Sequence, residues 1–260
     1  MKVLMIGDIY GRPGRNVTKK ILPKLKEKEK IDLAIANGEN LAGGVGMTLD
    51  TYQEMIDAGI DLFTSGNHIF DKKDFIPCLD DKKIRVIRPI NYPENVPGRG
   101  VEVIKTAEGD VAVVNLMGTV FMRLESIFPP FPLIEKILDE IKQKIILIDF
   151  HAEATAEKKA MGIFLDGKIS ALIGTHTHIA TADAMILPKG TAYITDVGMV
   201  GTINSVIGTD SQIIIERFKS GLPLAIEVAR GDCVFEAVII DVDKDGKAKD
   251  IKLIREKIKA

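Results

Sequence analysis

Tryptophan is absent from this 260-residue chain, cysteine occurs only twice and histidine only four times. The two thiols, Cys78 and Cys233, lack CxxC spacing, which argues against a disulfide framework or a cysteine-bound zinc and fits a reducing cytoplasm. No apolar run, such as residues 145–148 or 213–215, approaches the roughly 18 residues that cross a bilayer. The N-terminal apolar stretch meets an acid at Asp8, too early for a signal-peptide core. No membrane association is expected. An excess of charge is also missing: 35 Lys+Arg stand against 37 Asp+Glu, for a formal charge of -2. That balance supplies no broad basic field for long nucleic acid, so any nucleotide handled is expected to be small. Internal repeats and low-complexity linkers are lacking too, so residues 1–260 read as one domain. With 46% hydrophobic residues, a chain of this length can bury about three quarters of its unfolded surface.

What is present alternates. An apolar run at 3–6, a Gly-rich turn, a helical pattern at 17–25 and a second apolar run at 33–36 make a βαβ unit. A helix at 49–58, capped near Thr48 and closed by Gly59, precedes a strand at 61–64. Strands joined by helical crossovers imply a mostly parallel sheet. The segments 101–105 and 111–115 flank Glu108-Gly109-Asp110 and predict an antiparallel hairpin. Helix and strand patterns return at 133–141, 145–149, 156–164 and 171–173. Strands then follow at 184–187, 192–195 and 234–242, ending in a charged Lys/Ile-rich segment. The surplus of strands predicts two sheets packed face to face with helices outside.

Each predicted strand runs into carboxylate, amide or imidazole. Asp8 follows the first, Glu39-Asn40 the second, Asn67-His68 the third, His151 the strand at 145–149, and His176-Thr177-His178 the strand at 171–173. In a parallel sheet such residues gather along one edge. A lone histidine is more often a core or surface residue making one hydrogen bond, but here all four of the chain stand at strand ends. His176 and His178 lie two apart, so an extended backbone would point both to one side, to grip one centre together or two adjacent ones. Imidazole, carboxylate and amide without thiolate suit Mn, Fe or Zn. Six or seven such donors exceed the need of one ion, and Glu39 is the expected bridge between two. Water shared by both ions would be acidic enough to ionise near neutral pH.

The remaining motifs are weaker. Gly7-Asp8-Ile9-Tyr10-Gly11-Arg12-Pro13-Gly14 is not GxGxxG, and an acid occupies the place of a pyrophosphate. The loop Ala42-Gly43-Gly44-Val45-Gly46 reads equally as a close approach to ligand and as a tight connection. Arg12 could bind substrate phosphate, although a surface arginine is the commoner case.

The series Gly7-Asp8, Gly38-Glu39-Asn40, Gly66-Asn67-His68, His151 and Gly174-Thr175-His176-Thr177-His178 resembles the calcineurin-like metallophosphoesterases. With Thr181-Ala182-Asp183, Ile186-Leu187-Pro188 and Thr195-Asp196-Val197-Gly198-Met199, the resemblance is to their YmdB-like branch, from end to end. It implies a four-layer α/β/β/α sandwich with two mixed sheets. It also implies two metal ions and hydrolysis of phosphodiesters, with 2′,3′-cyclic nucleotides as the family's associated substrates. Where the superfamily usually has DxH, this chain has Asp8-Ile9-Tyr10, and in the branch an asparagine beside the bridging acid, here Asn40, replaces the imidazole. The resemblance assigns one ion, expected to be Fe or Mn with Zn an alternative, to Asp8, Glu39, Asn40 and His178. The other falls to Glu39, Asn67, His151 and His176. His68, left unliganded, could protonate the departing ribose oxygen while a bridging hydroxide attacks. A homo-oligomer is implied as well. Two other readings use the same residues: a metal- and nucleotide-binding regulatory protein with little turnover, and a nuclease acting on short RNA.

Overall fold

The computed structural model describes residues 1–122 and 126–259. In chain order, β1 (Lys2–Ile6) and β2 (Asp8–Ile9) lead into α1 (Gly11–Glu29). Then come β3 (Leu33–Asn37), α2 (Leu49–Asp57), β4 (Leu62–Thr64) and a 3-10 turn at Ile76–Asp80. The predicted hairpin is β5 (Val101–Thr106) and β6 (Gly109–Met117), with Thr106 paired to Gly109 and the turn at 107–108. After it come α3 (Pro130–Glu140), β7 (Ile145–His151), α4 (Thr155–Leu165) and β8 (Ala171–Thr175). The chain ends with β9 (Met185–Ile186), β10 (Ala192–Ile194), β11 (Met199–Thr202), α5 (Ser211–Ser220), β12 (Cys233–Val242) and β13 (Ala248–Ile258).

Two mixed sheets result. One has the order β2-β11-β12-β1-β3-β4 with β13 against β12, and the other β5-β6-β7-β8-β10-β9. The two-residue period of β1 divides its side chains between two cores. Leu4 and Ile6 join Val17, Ile21, Leu22 and Leu25 of α1 on the outer face. Val3 and Met5 point inward, where they meet Leu33 and Ile35 of β3 and Val111, Val113, Leu147 and Ile173 of the opposite sheet. On the far side of that second sheet, Val114, Ile146 and Ile148 pack with Ile134 of α3 and with Met161 and Leu165 of α4. The layers run α/β/β/α, as the resemblance implied.

Several boundaries differ from the sequence expectation. The first helix begins at Gly11 rather than near 17, because Gly11 takes a positive φ of 58° and turns the chain directly out of β2. The charged C-terminal segment is strand β13, whose lysines are exposed on both faces while Ile254 is buried beside β12. Strands β2 and β11, which pair in parallel through Met199↔Asp8 and Val200↔Ile9, were not expected. The cap of α2 is as expected: Thr48 Oγ1 accepts from the Thr51 N–H, and Thr51 Oγ1 accepts in return from the Thr48 N–H.

For the site, the parallel runs matter most. β1, β3 and β4 are parallel neighbours in one sheet, β6, β7 and β8 in the other, and their carboxyl ends meet. Asn37 at the end of β3 places its amide Nδ2 3.2 Å from Asp149 and 3.3 Å from His151 of β7.

Candidate metal centre

Two donor groups stand at this edge. Glu39, His151 and His176 form one and Asp8, Glu39 and His178 the other, each with its ligand atoms within 4.8 Å of one another, and Glu39 belongs to both. Asp8, Glu39, Asn40, His151 and His178 are buried. A carboxylate pair taken this far from water must be compensated by positive charge.

His151 Nε2 lies 3.2 Å from Glu39 Oε1, 3.2 Å from Asn67 Oδ1 and 3.0 Å from His176 Nδ1. One proton there cannot satisfy three acceptors, whereas a cation is satisfied by all four donors at once. Each ring is set by its other nitrogen. His178 Nδ1 lies 2.8 Å from the Ile207 carbonyl, which can only accept, so Nδ1 carries a hydrogen. Nε2 is thereby turned to Asp8 Oδ1 at 3.6 Å. His176 directs Nε2 at Glu153 Oε2, 3.1 Å away, which leaves Nδ1 facing His151. His151 Nδ1 lies 2.9 Å from Thr175 Oγ1, and that hydroxyl donates onward to Asp149 Oδ1 at 2.6 Å.

Among the described residues, Asp8 Oδ1 and Asn40 Oδ1 are buried acceptors that receive no hydrogen bond. The Asn40 amide is oriented by its other end, which donates to the Gly44 carbonyl at 2.9 Å. That is the work of the glycine-rich loop: Gly44, at φ 88°, brings its backbone both to Asn40 and against the Tyr10 ring. Orphaned oxygens on a buried carboxylate and a buried amide, beside aimed imidazoles, fit a divalent cation. The donor set, oxygen and imidazole without sulfur, fits as well.

The electrostatics show what holds the cluster together when protons do the work of cations. Burial alone would raise Asp8 and lower His178, but their mutual attraction prevails. It holds the carboxyl below its ordinary range and pushes the imidazole up to about 9. Burial also opposes ionisation of Glu39, yet His151 brings it down to about 2 and is itself raised in return. Burial and the neighbouring His151 push His176 down to about 3. Behind them, burial lifts Asp149 to about 6.

Two backbone features let the residues approach. A Cβ at Gly66 would stand 2.2 Å from His151 Nε2 and 2.4 Å from Glu39 Oε2, so the Gly-Asn-His turn needs its glycine. The expected extended backbone through His176 and His178 is not found: their φ angles are 97° and 63°. They leave β8 on a strained turn that aims the first at Glu39 and His151 and the second at Asp8 and Glu39. Asp196 holds this turn from below. It accepts from the Thr177 N–H at 3.1 Å and pairs with the fully buried Lys158, whose ammonium also donates to the Thr175 carbonyl.

A cleft of about 760 Å³ opens over the donors, lined by Glu39, Asn40, His68, His176 and His178 with Tyr10 on the wall. His68 Nδ1 is 2.7 Å from Asp71 Oδ2, and its backbone N–H donates to Glu39 Oε2 at 3.0 Å. Arg12 is not with them: it lines a separate cleft along α1. Sequence reasoning missed Glu153, Asn37, Asp149, Lys158 and Asp196. Asp149, Asn37 and Asp196 each close or directly follow a predicted strand, and Asp196 also stands in the Thr195-Asp196-Val197-Gly198-Met199 stretch of the resemblance, whereas Glu153 and Lys158 carried no signal.

In this geometry the chain is similar to known proteins. It is 46% identical to a 2′,3′-cyclic-nucleotide 2′-phosphodiesterase of Bacillus subtilis, over 98% of this chain and 96% of that one. A novel phosphatase of Mycoplasma pneumoniae superposes with a TM-score of 0.94 at 35% identity, covering 99% and 93%. A 5′-nucleotidase precursor of Thermus thermophilus shares the fold alone, with a TM-score of 0.60 at 11% identity over 100% of this chain and 54% of that one. Fold and donor set together define the class, that of the metal-dependent phosphoric diester hydrolases of metallophosphoesterase type. Within that class the chain belongs to the YmdB-like protein family, whose model matches residues 4–254. Among the described residues no helix is long and apolar enough to cross a membrane.

Proposed function

We propose that the chain hydrolyses small 2′,3′-cyclic nucleotides at a dinuclear centre, one ion held by Asp8, Glu39, Asn40 and His178 and the other by Glu39, Asn67, His151 and His176. The observation that carries this reading is the membership of Glu39 in both donor groups. Fe or Mn are the ions proposed, with Zn as alternative, because the donors are oxygen and imidazole. Bound there, the cations would polarise the phosphoryl oxygens and make water a nucleophile at neutral pH.

The chain's own residues have separable tasks. Asp149, through Thr175, and the Ile207 carbonyl hold the His151 and His178 rings in one orientation each. Tyr10 is fixed by its hydroxyl contact with Thr209 at 2.8 Å and walls the cleft without acting as a ligand. His68, at the cleft and outside both donor groups, is oriented by Asp71 to give a proton from Nε2 to the ribose oxygen that leaves phosphorus. Cys78 and Cys233 are both free, in keeping with a proposed cytoplasmic location.

The test is Glu39→Gln, followed by elemental analysis and an assay on 2′,3′-cyclic AMP with Mn or Fe supplied. Loss of both ions together with loss of hydrolysis is expected. Two ions per chain in the variant would remove Glu39 from the bridging position.

A further inference from the structure

The formal charge of -2 is a sum over an uneven surface. Two clefts of about 710 and 570 Å³ run along the outer side of α1 and join where Lys20 and Ile258 line both. Besides Lys19, which is paired with Glu54, their walls carry six cations, Arg12, Lys20, Lys24, Lys28, Arg230 and Lys259, against only Glu227 and Glu256. Among the described residues, none of these six cations is ion-paired with a carboxylate. On the adjoining positions of the helix Arg15 is likewise paired with Glu54, and Lys26 with Asp61.

Along α1 the exposed positions Arg12, Asn16, Lys20, Lys24 and Lys28 follow at intervals of four, so they form one row. Each interval rises about 6 Å, and the row spans about 24 Å. Lysines stacked four apart repel, a local cost that Glu227 and Glu256, the carboxylates lining these walls among the described residues, are too few to cancel. The row starts at the rim of the metal-site cleft. Tyr10 lines that cleft and Arg12 the basic one, two residues or about 7 Å of backbone apart. On the facing segment Ile226 and Val228 divide in the same way, and Val228 packs on Gly11 to form the ridge between.

We propose that this groove holds the sugar–phosphate chain of a single-stranded RNA whose terminal 2′,3′-cyclic phosphate lies at the metal-site cleft, so that such RNA ends are substrates. The proposal rests on the phosphodiesterase reading above and names its substrate class. Water adds to phosphorus, one phosphorus–ribose oxygen bond breaks, and the freed oxygen takes a proton, leaving a phosphomonoester beside a hydroxyl with no other reactant needed. A mononucleotide is too short to reach the lysine row, so the groove adds affinity only for a chain. No aromatic side chain lines either basic cleft, so bases find no stacking platform there. Recognition then rests on phosphate charge, tolerant of sequence and sensitive to salt. A concave groove that stops beside a phosphodiester site, with only the Gly11 and Val228 ridge between, suits a flexible strand better than a flat anionic membrane.

The test uses full-length, metal-loaded protein and the triple variant Lys20→Glu/Lys24→Glu/Lys28→Glu, with Lys20→Gln/Lys24→Gln/Lys28→Gln as a milder second. A 12-nucleotide RNA ending in a 2′,3′-cyclic phosphate is compared with 2′,3′-cyclic AMP for kcat/KM. The same RNA with a 3′-hydroxyl end is titrated by fluorescence anisotropy. Wild type is expected to prefer the RNA at least tenfold at low salt. Both variants should lose that preference through KM while hydrolysing the mononucleotide unchanged. Three lost phosphate contacts should also flatten the salt dependence of binding, by about 2 in log–log slope. An RNA preference that survives the substitutions overturns the proposal. So does wild type that neither binds the hydroxyl-ended RNA nor prefers the cyclic one, including the case where it binds phosphatidylserine vesicles instead. If wild type binds RNA through the lysines but hydrolyses neither cyclic substrate, the catalytic reading fails and the groove stands.

Discussion

His68 and His178 are both imidazoles at strand ends, yet the structure gives them opposite situations. His178 is buried against Asp8 inside a donor group, whereas His68 is partly exposed at the cleft and belongs to neither group. His68→Ala should therefore leave the metal content per chain unchanged and lower kcat by about 10²–10⁴-fold. Elemental analysis beside steady-state kinetics separates the effects, and a variant stripped of metal would make His68 a ligand instead. For His178 the expected consequence lies in metal uptake. Its imidazole, raised to about 9, carries a proton that a cation must displace, so affinity should climb as pH rises from about 6.5 toward 9 and level off above. Metal titrations across that range check it; a flat profile would mean that Nε2 does not ligate. The donors themselves were legible because each ends a strand in a residue type that a core would not choose. Their support was less so: Asn37 also follows a predicted strand and Thr175 stands in the histidine motif, but only the fold brings them and Glu153 to an imidazole nitrogen.

At the scale of elements, the turn after β8 depends on a buried pair. Lys158 on α4 donates to Asp196 and to the Thr175 carbonyl, both at 2.7 Å, with both partners out of solvent. Removing the ammonium alone strands a buried carboxylate that also holds the Thr177 and Gly198 amides. Lys158→Met should cost about 3–5 kcal/mol in denaturant unfolding, far more than a surface lysine would. A loss under about 1 kcal/mol would show that Asp196 holds the turn without its partner. Helix α5 lies at the other extreme: it has an Asp210 cap and a Gly221 terminus but no buried residue. Limited trypsin digestion should cut first at Arg217 or Lys219, and initial cleavage elsewhere would contradict that ranking of local stability. Periodicity exposed the long elements, since β1, β3, β7 and the hairpin carry continuous or alternating apolar runs. It was silent on β2 and β11, two and four residues long, whose pairing is backbone hydrogen bonding between segments nearly 200 residues apart. β13 was obscured because charged, exposed residues stand on both of its faces, Lys252 and Glu256 beside Ile254 and Lys249 and Lys257 opposite, so no alternation marks it and it reads as a solvated tail.

For the whole molecule, four layers bring the carboxyl ends of two sheets together, and the cost is an acidic cluster at the centre of the protein. Without metal the cluster is balanced by protons on His151 and His178, both raised above the ordinary imidazole range. A group whose folded pKa is raised contributes stability that is fully present below its unfolded value, about 6.5, and lost as pH climbs through the folded value, here about 9. The metal-free chain should thus lose on the order of a few kcal/mol between pH 6.5 and 9. Bound cations take over that charge and add mass-action stabilisation that grows with the ratio of free metal to its dissociation constant. The gap in Tm between metal-loaded and chelator-treated protein should accordingly widen with pH across this window. Thermal unfolding at matched ionic strength measures it, and a gap that narrows toward pH 9 would mean that protons on the histidines do not replace the missing ions.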